Sequence, residues 1–360
     1  MAEAGGYRAV IDWIRKEISA GHLKTGDRLP SEKELCDQFG LSRQTVRHAT
    51  GELEKEGVLT RVRGSGTYLG SPGPAPRQAE NKNIAVVSTY VDSYIFPPTI
   101  RGIESVLARA GYSVQLSFTD DLVTRERMIL ESLLEKDNID GLIIEPSKSA
   151  LPNPNLELYR RILKRNIPIL FFNAEYRELN LPCVRMDDIQ AARSATDILI
   201  RAGHRKLFAI LHLEDEQGRL RYQGFCQAIL AAGLSVEEQG FFWLDNVGFQ
   251  KLNDTADILF DRLQGHTGVL CYNDEVAFQL IQTALRRGLR IPEDLSVVSI
   301  DNSNLADISP VPFTSCDHPK EQLGIRAAEN LLRMIENPSF NGSYLFSASP
   351  VYRDSVRSLL

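Results

Sequence analysis

From residue 83 onward, short apolar runs alternate with segments of helical period, and no other feature of the sequence limits the possible folds as sharply. The runs are IAVVSTY, VQLSFT, DGLIIEP, IPILFFN, CVRMD, KLFAILH, FFWLDN, GVLCYND and LSVVSID. A strand that is apolar along its whole length must be covered on both faces. Helices between successive strands supply that cover, so the pattern predicts parallel sheets. Nine or ten such units are more than one ordinary sheet holds. The expected body, residues 83–360, is therefore an α/β domain of two lobes with a cleft between them. The stretch SYLFSASPVYRDSVR near the end adds one or two closing strands.

Ahead of the body, SPGPAPRQAENK (71–82) is rich in proline and small residues and has nothing to pack, as expected of a semi-rigid linker. Residues 1–70 have another texture. Tyr7, Val10, Ile11, Ile14 and Ile18 recur at helical spacing. Pro30, Ser31 and Glu34 spell a capping box, and Leu35 and Phe39 point inward from the helix it starts. Gly40 ends that helix and Ser42 caps the next, whose inward stripe is Val46, Ala49, Thr50 and Leu53. VLTRVRGSGTYLG (58–70) then alternates apolar and polar residues around Gly64, Ser65 and Gly66. Two helices joined by a tight turn and followed by a glycine-tipped hairpin make a winged helix-turn-helix.

The formal charge is -6, but its distribution matters more. Residues 1–70 carry 11 basic and 10 acidic side chains, a net of +1, which leaves -7 for the rest. Within 42–70 the balance is five basic to three acidic, and Arg43, Arg47, Arg61 and Arg63 supply most of the positive charge there. With Val46 and Leu53 inward, Gln44, Arg47, His48 and Gly51 face out, and Arg43 flanks the first turn. Arginine matches guanine through two parallel donors, and glutamine matches adenine or a phosphate. Ser42, Thr45 and the wing-tip amides of Gly64 and Gly66 are expected to hold phosphates and set register. Gly51 costs a helix about 1 kcal/mol relative to alanine, which close approach of another surface would explain. Taken singly, each arginine reads as solvated surface charge. Together with the capped helices and the wing, they predict double-stranded DNA as a partner.

At these residues the stretch ISAGHLKTGDRLPSEKELCDQFGLSRQTVRHATGELEKEGVLTRVRGSGTYL resembles the winged-helix domain of the GntR family of bacterial transcription regulators, over nearly all of residues 7–69. The resemblance implies base or phosphate contact from Lys33, Arg43, Gln44, Thr45, Arg47 and the wing glycine Gly66.

In the body, the carboxyl ends of parallel strands are where ligands bind. They carry Tyr90, Tyr94, Phe96, Glu145, Asn173, Glu175, Asp187, Asp188, Asn273, Asp274, Asp301 and Asn302. Acids and amides bridge neighbouring hydroxyls and an aromatic ring covers the apolar face of a sugar, so the set suits a neutral polyol. Plainer readings compete at several positions. Asp188 and Asp274 stand where helix N-caps belong, Asn302 reads as a turn residue, Lys148 as the neutraliser of Glu145, and Tyr90 and Phe96 as hinge or core packing. Arg221 points either into the cleft or to solvent.

GRLRYQGF, CYNDEVA and SIDNSNLADIS resemble the periplasmic-binding-protein-like effector domain of the LacI family, which implies effector contact from Arg221, Asn273 and Asp301. A GntR-type head on a LacI-type body is similar to the arabinose-responsive repressors of Gram-positive bacteria. STYVDSYIFPPTIRGIES and IDGLIIEPSKSALPNPN extend that resemblance and add Tyr94 and Glu145 as contacts. It implies a homodimer on a roughly palindromic operator, released by a small sugar effector, L-arabinose or a related sugar, with no cofactor. Another pentose, a hexose or a nucleobase stays open as the effector. The LacI hinge helix is missing, so mechanisms built on it do not transfer.

No apolar run approaches the ~20 residues of a membrane span, and the first residues lack a signal segment, so no membrane partner and a cytoplasmic location are expected. Cys36, Cys183, Cys226, Cys271 and Cys316 have no metal-binding spacing and read as free thiols, so no metal site is expected. A sugar-processing enzyme is the rival class, with His204 and His212 near Glu214 and Asp215. No HExxH, Walker lysine, GxGxxG or GxSxG motif accompanies them, and the expectation is a protein that is not an enzyme.

Overall fold

The computed structural model describes residues 6–24, 26–56, 58–62, 66–70, 81–91 and 94–360. The chain forms two compact units, one built from the described residues up to 70 and the other from 81–336 and 341–360. Most of the expected linker, with Arg63 and Gly64 of the wing tip, lies outside the described residues.

In the first unit, three helices, α1 (Gly6–Ser19), α2 (Glu32–Phe39) and α3 (Arg43–Lys55), precede an antiparallel hairpin of β1 (Leu59–Val62) and β2 (Gly66–Leu69). The helix boundaries follow the local chemistry. Ser31 Oγ accepts from the Glu34 amide at 3.2 Å while the Ser31 amide donates to the Glu34 carboxylate at 2.7 Å, which closes the capping box. Gly40 takes the left-handed conformation that stops α2. Ser42 Oγ then accepts from the Thr45 amide and starts α3. Val10, Ile14, Leu29, Leu35, Val46, Ala49, Leu53, Leu59 and Leu69 are buried between the helices and the hairpin. At about 1.5–3 kcal/mol for each large side chain, that core is what holds so small a unit together. The wing is clamped from outside by the segment 27–29, through Leu29 N to Thr67 O and Leu69 N to Asp27 O.

The second unit has two lobes, each built on a six-stranded sheet. Lobe 1 uses β3 (Asn83–Ser88), β4 (Ser113–Phe118), β5 (Gly141–Ile144), β6 (Ile169–Phe172), β7 (Cys183–Met186) and, late in the chain, β13 (Tyr344–Phe346). Their spatial order is β13-β7-β6-β5-β3-β4, all parallel. Its helices are α4 (Phe96–Arg109), α5 (Val123–Lys136), α6 (Leu156–Leu163) and α13 (Lys320–Glu336). Lobe 2 uses β8 (Leu207–His212), β9 (Gly240–Leu244), β10 (Gly268–Cys271), β11 (Ser296–Asp301), β12 (Thr314–Asp317) and β14 (Pro350–Val351). They lie in the order β14-β12-β11-β10-β8-β9, with only β14 antiparallel. Around them are α7 (Asp188–Arg201), α8 (Glu216–Ala231), α9 (Asn246–Gln250), α10 (Ala256–Leu263), α11 (Asp274–Arg286) and α12 (Leu305–Ile308). The α/β reading with a winged head therefore holds.

The chain crosses between the lobes three times, at residue 187, at 318–319 and at 347–349. Next to the second crossing, α13 packs on α4 with the backbones in contact. A Cβ added at Gly324 would sit 2.0 Å from Thr99 O, and one at Gly102 would sit 2.3 Å from Glu321 O. One strand, β12, is absent from the expected runs. Its sequence TSCD is short and polar at three of four positions, yet it is buried mid-sheet because Ser315 Oγ donates to Asp274 and Thr314 N to Ser355 Oγ. Among the described residues, no helix is long and apolar enough to cross a membrane.

Candidate functional site

In the first unit, the outward face of α3 presents Arg43 and Gln44, both exposed, and Lys33 is exposed on α2. Arg47 also faces out but is not a free cation. Its Nε donates to both oxygens of Glu32, at 3.0 and 2.9 Å, and Arg61 from β1 reaches the same carboxylate. Glu32 thereby ties the second turn of α3 to the hairpin, and the Arg47 bond leads in holding its carboxyl below the usual range. The Arg47 side chain remains 60% exposed, so the pair is open to exchange for another anion. His48 is exposed but leans on Tyr7, with ring centroids 4.8 Å apart. Ser42 and Thr45 place their hydroxyls 2.8 Å apart at the amino end of α3. Gly66 opens β2 with φ at 136°, beside the Arg28 guanidinium; a Cβ there would come within 2.7 Å of Nε. This end of the unit thus offers cations, hydroxyls and helix-terminal amides, the groups that bind phosphates and read base edges.

In the second unit, the carboxyl ends of both sheets open on one cavity of about 130 Å³. That is space for on the order of ten waters, the scale of a monosaccharide. Tyr94, Glu145, Arg221, Asn273 and Asp301 all line it. Of the other strand-end residues, Tyr90, Phe96, Asn173 and Asp188 line it too, whereas Glu175, Asp187, Asp274 and Asn302 do not.

Arg221 is the keystone of the wall. From α8 it donates to Asp188 Oδ1 at 2.9 Å, to Tyr272 O at 2.5 Å and to Asp301 Oδ1 at 3.3 Å, with its side chain 4% exposed. The guanidinium also stacks 4.6 Å from the centroid of the Tyr272 ring. The choice between cleft and solvent for Arg221 is settled in favour of the cleft. Around it burial raises the carboxyls. Asp188 is pushed up to about 6 against the pull of Arg221, and Asp274 to about 6 with Asp301 adding to the rise. Glu275 goes to about 7, by burial first and Asp301 second. Glu145 is raised by burial despite bonds from Thr89 N at 3.0 Å and Asn173 Nδ2 at 2.7 Å.

Two expectations about caps are corrected. The residues that cap α7 and α11 are Asp187 and Asn273, which accept from Gln190 N and Val276 N. Asp188 is instead bound to Arg221, and Asp274 holds Ser303 and Ser315. Lys148 does not neutralise Glu145. It reaches over the rim to Glu214 in lobe 2 at 2.5 Å and lies 3.7 Å from Asp121. Asn302 is a turn residue with φ at 44°, bonded to Asp317.

The lobes are closed on each other. Tyr94, held in the left-handed region at φ 71°, sends its hydroxyl across the cleft to Asp301 Oδ2 at 2.5 Å and accepts from Asp274 N at 3.0 Å. Asp301 itself has φ at 110°. Left-handed backbone at two non-glycine residues that meet across a cleft is strain of the kind found at binding sites. On the rim Asn246 Nδ2 donates to Asp121 at 2.6 Å, and Glu216 N to Ser149 Oγ at 2.9 Å.

Several lining residues went unforeseen. Asp121 and Asn246 follow β4 and β9, whose strand-end residues were not singled out, and His318 sits on a crossing segment. His212 and Asp215 were noticed only as a possible catalytic group. They lie 3.1 Å apart as an ion pair, although Nδ1 is not aligned for a hydrogen bond. Burial works against the charged imidazole, but Asp215 outweighs it and raises His212. His204 is away from the cavity, bonded to Thr267 Oγ1 at 2.8 Å and Arg357 O at 3.2 Å. Tyr90 and Phe96 pack edge to face on one side, as do Phe249 and Tyr272 on the other. Among the described residues, no group of His, Cys, Asp and Glu is arranged to hold a metal ion.

Residues 6–69 match the family model of bacterial regulatory proteins of the gntR family, and residues 196–356 match that of the periplasmic binding protein-like domain. The chain is 37% identical over 357 residues to the arabinose metabolism transcriptional repressor of Geobacillus stearothermophilus, covering 97% of this chain and 96% of the relative. It is 36% identical over 335 residues to the protein of the same name from Halalkalibacterium halodurans, covering 92% and 89%. Among solved structures, the transcription regulator CcpA of Lactococcus lactis aligns with a TM-score of 0.69 at 23% identity, over 77% of this chain and 100% of that one. At that identity the likeness bears on the fold alone.

Proposed function

The chain belongs to the family of arabinose metabolism transcriptional repressors, and from that premise we propose that it is a DNA-binding repressor whose cleft takes a neutral pentose, L-arabinose first. The head is residues 1–70, the linker 71–82 and the body 83–360. Lys33, Ser42, Arg43, Gln44, Thr45, Arg47, Gly64 and Gly66 form the operator-binding set. Tyr94, Glu145, Arg221, Asn273 and Asp301 contact the sugar. The protein works as a cytoplasmic homodimer, without a cofactor, and the cleft binds rather than transforms its ligand.

The observation that carries the sugar assignment is the charge inventory of the cleft. Among the described residues lining the cavity, Arg221 is the one lysine or arginine, and three acceptors already occupy it. What is left for a ligand is acid, amide, hydroxyl and imidazole with the acids in excess, which suits hydroxyls and disfavours phosphate. Ligand bound between closed lobes stabilises closure. If closure disfavours the operator-bound spacing of the paired heads, sugar and DNA oppose each other by a coupling of about 1–3 kcal/mol.

A second reading keeps the regulator and changes its effector to a nucleobase or nucleoside, favoured by the rings of Tyr90, Phe96, Phe249 and Tyr272 around the cavity. Isothermal titration of the full chain with L-arabinose, D-xylose, D-ribose, arabinose 5-phosphate and cytidine separates the two. The sugar reading expects heat with L-arabinose and none with the phosphate or the nucleoside. Binding of cytidine alone would overturn it.

A further inference from the structure

The lobes meet around the cavity, and they also meet beside it, at the turn 214–216 that leads from β8 into α8 in lobe 2. Lobe 1 holds this turn from two sides. On one side is the loop that follows β5. Lys148 Nζ donates to Glu214 Oε2 at 2.5 Å, Ala150 N donates to Glu214 O at 3.2 Å, and Ser149 Oγ accepts from Glu216 N at 2.9 Å. On the other side are β7 and the connection before it. Glu175 N and Arg177 Nε donate to the two carboxylate oxygens of Glu216 at 3.3 and 2.8 Å, and Arg185 Nη1 lies 3.5 Å from one of them. The Glu216 side chain is 4% exposed, and these donors all belong to lobe 1. A carboxylate buried by the opposite lobe regains water only when the lobes part, so its bonds are made and lost with closure itself.

The β5 loop is fixed in its gripping shape by its own lobe. Tyr176 OH donates to Ser147 O at 2.6 Å, Asn153 Nδ2 to the buried Glu126 at 2.9 Å, Asn155 Nδ2 to Val123 O at 2.8 Å and Lys148 N to Asp121 Oδ1 at 2.8 Å. Lys148 is held there in the left-handed region, at φ 50°. A loop already ordered loses little freedom when it engages a partner. Lys148, Arg177, Arg185, Glu214 and Glu216 do not line the cavity, so they favour closure whatever the cavity holds.

We propose that the turn 214–216 is a clasp: lobe 1 grips it through Lys148 and through the cradle around Glu216, and the strength of that grip sets the effector concentration at which the protein responds. A protein whose binding-competent state is only partly populated binds with an affinity reduced by that fraction. Weakening the clasp therefore weakens ligand binding from residues that never meet the ligand. The inference rests on the reading that a sugar is held between closed lobes.

The test compares full-length wild type with Lys148→Met, Lys148→Arg and Glu216→Gln. Amide hydrogen exchange without sugar reads the clasp itself, because the amides of Ala150, Glu175 and Glu216 bond across the lobes. In Lys148→Met and Glu216→Gln, peptides covering 148–151 and 174–177 should exchange about 3-fold faster or more, while β3 and β8 in the two sheets keep wild-type rates. Titration calorimetry should show L-arabinose binding weakened about 3- to 30-fold in both variants. Lys148→Arg keeps the cation and should stay close to wild type in both measurements. Unchanged affinity in Lys148→Met and Glu216→Gln overturns the inference, whether or not the rim exchanges faster. So does faster exchange that spreads through both sheets with a lowered melting temperature, since that marks a merely structural role. No heat from L-arabinose with wild type overturns the sugar reading instead, and the exchange rates at the rim then still decide whether the clasp holds the lobes.

Discussion

The two candidate sites use charge in opposite ways. On the first unit, arginines stand in water. Arg43 is exposed and Arg47 shares Glu32 with Arg61 while 60% of its side chain remains open. In the cleft, Arg221 is 4% exposed and locked between Asp188 and Asp301. Exposed ion pairs are worth about 0–1 kcal/mol and exchange readily, so surface arginines are available to a phosphate or a base. A buried arginine has surrendered its hydration and cannot release its partners without a large penalty. The first arrangement suits a partner that is itself a polyanion. The second builds a rigid polar frame that shapes the ligand's place without offering it a spare positive charge.

The sharpest way to break this contrast is to remove the buried cation. Arg221→Leu leaves Asp188 and Asp301 without their partner, and denaturant unfolding of the body should show a loss of about 3–5 kcal/mol together with loss of sugar binding. A loss below 1 kcal/mol would mean that the arginine behaves like a surface residue.

Next in size is a half-buried acid. The folded state raises Glu275 from 4.5 to about 7, so it holds an extra proton between those values. Stability therefore falls as pH rises through that window, and the penalty is complete above it. Glu275→Gln should match wild type near pH 4 and exceed it at pH 8 by up to about 3 kcal/mol, in chemical denaturation at the two pH values.

For the surface, Arg43→Ala and Arg47→Ala should each weaken operator binding about 10- to 100-fold in a gel shift, with the melting temperature nearly unmoved. A large drop in melting temperature instead would make Glu32 and Arg47 a structural pair. The smallest effect is expected at Gly51, where an added Cβ meets nothing within 4 Å. Gly51→Ala should stabilise the head by about 0.5–1 kcal/mol in thermal melts. Reduced operator affinity in the same variant would show that the bare backbone is needed at the DNA.

The same contrast explains what could be read from the sequence. The head is governed by neighbours in the chain: Ser31 with Glu34, Gly40, and Ser42 with Thr45 act over three or four residues, and their geometry follows from spacing. The cleft is only half local. Parallel strands deliver Tyr94, Glu145, Asn273 and Asp301 to one end of their sheets, so those positions could be named. Which of them pair could not, because Tyr94 and Asp301 are 207 residues apart and Lys148 and Glu214 are 66 apart. β12 was missed because its polar residues are satisfied by Asp274 and Ser355, partners invisible in the pattern. His318 was missed for a related reason. It belongs to a crossing segment, and crossings exist only once both lobes are built.

The most direct test of the account is operator affinity measured with and without saturating L-arabinose. Fluorescence anisotropy of a labelled DNA fragment from upstream of the protein's own gene, titrated with the full chain, would provide it. The account predicts binding weaker by about 5- to 150-fold in the presence of the sugar. Equal affinity under both conditions, with sugar binding shown independently, would contradict it.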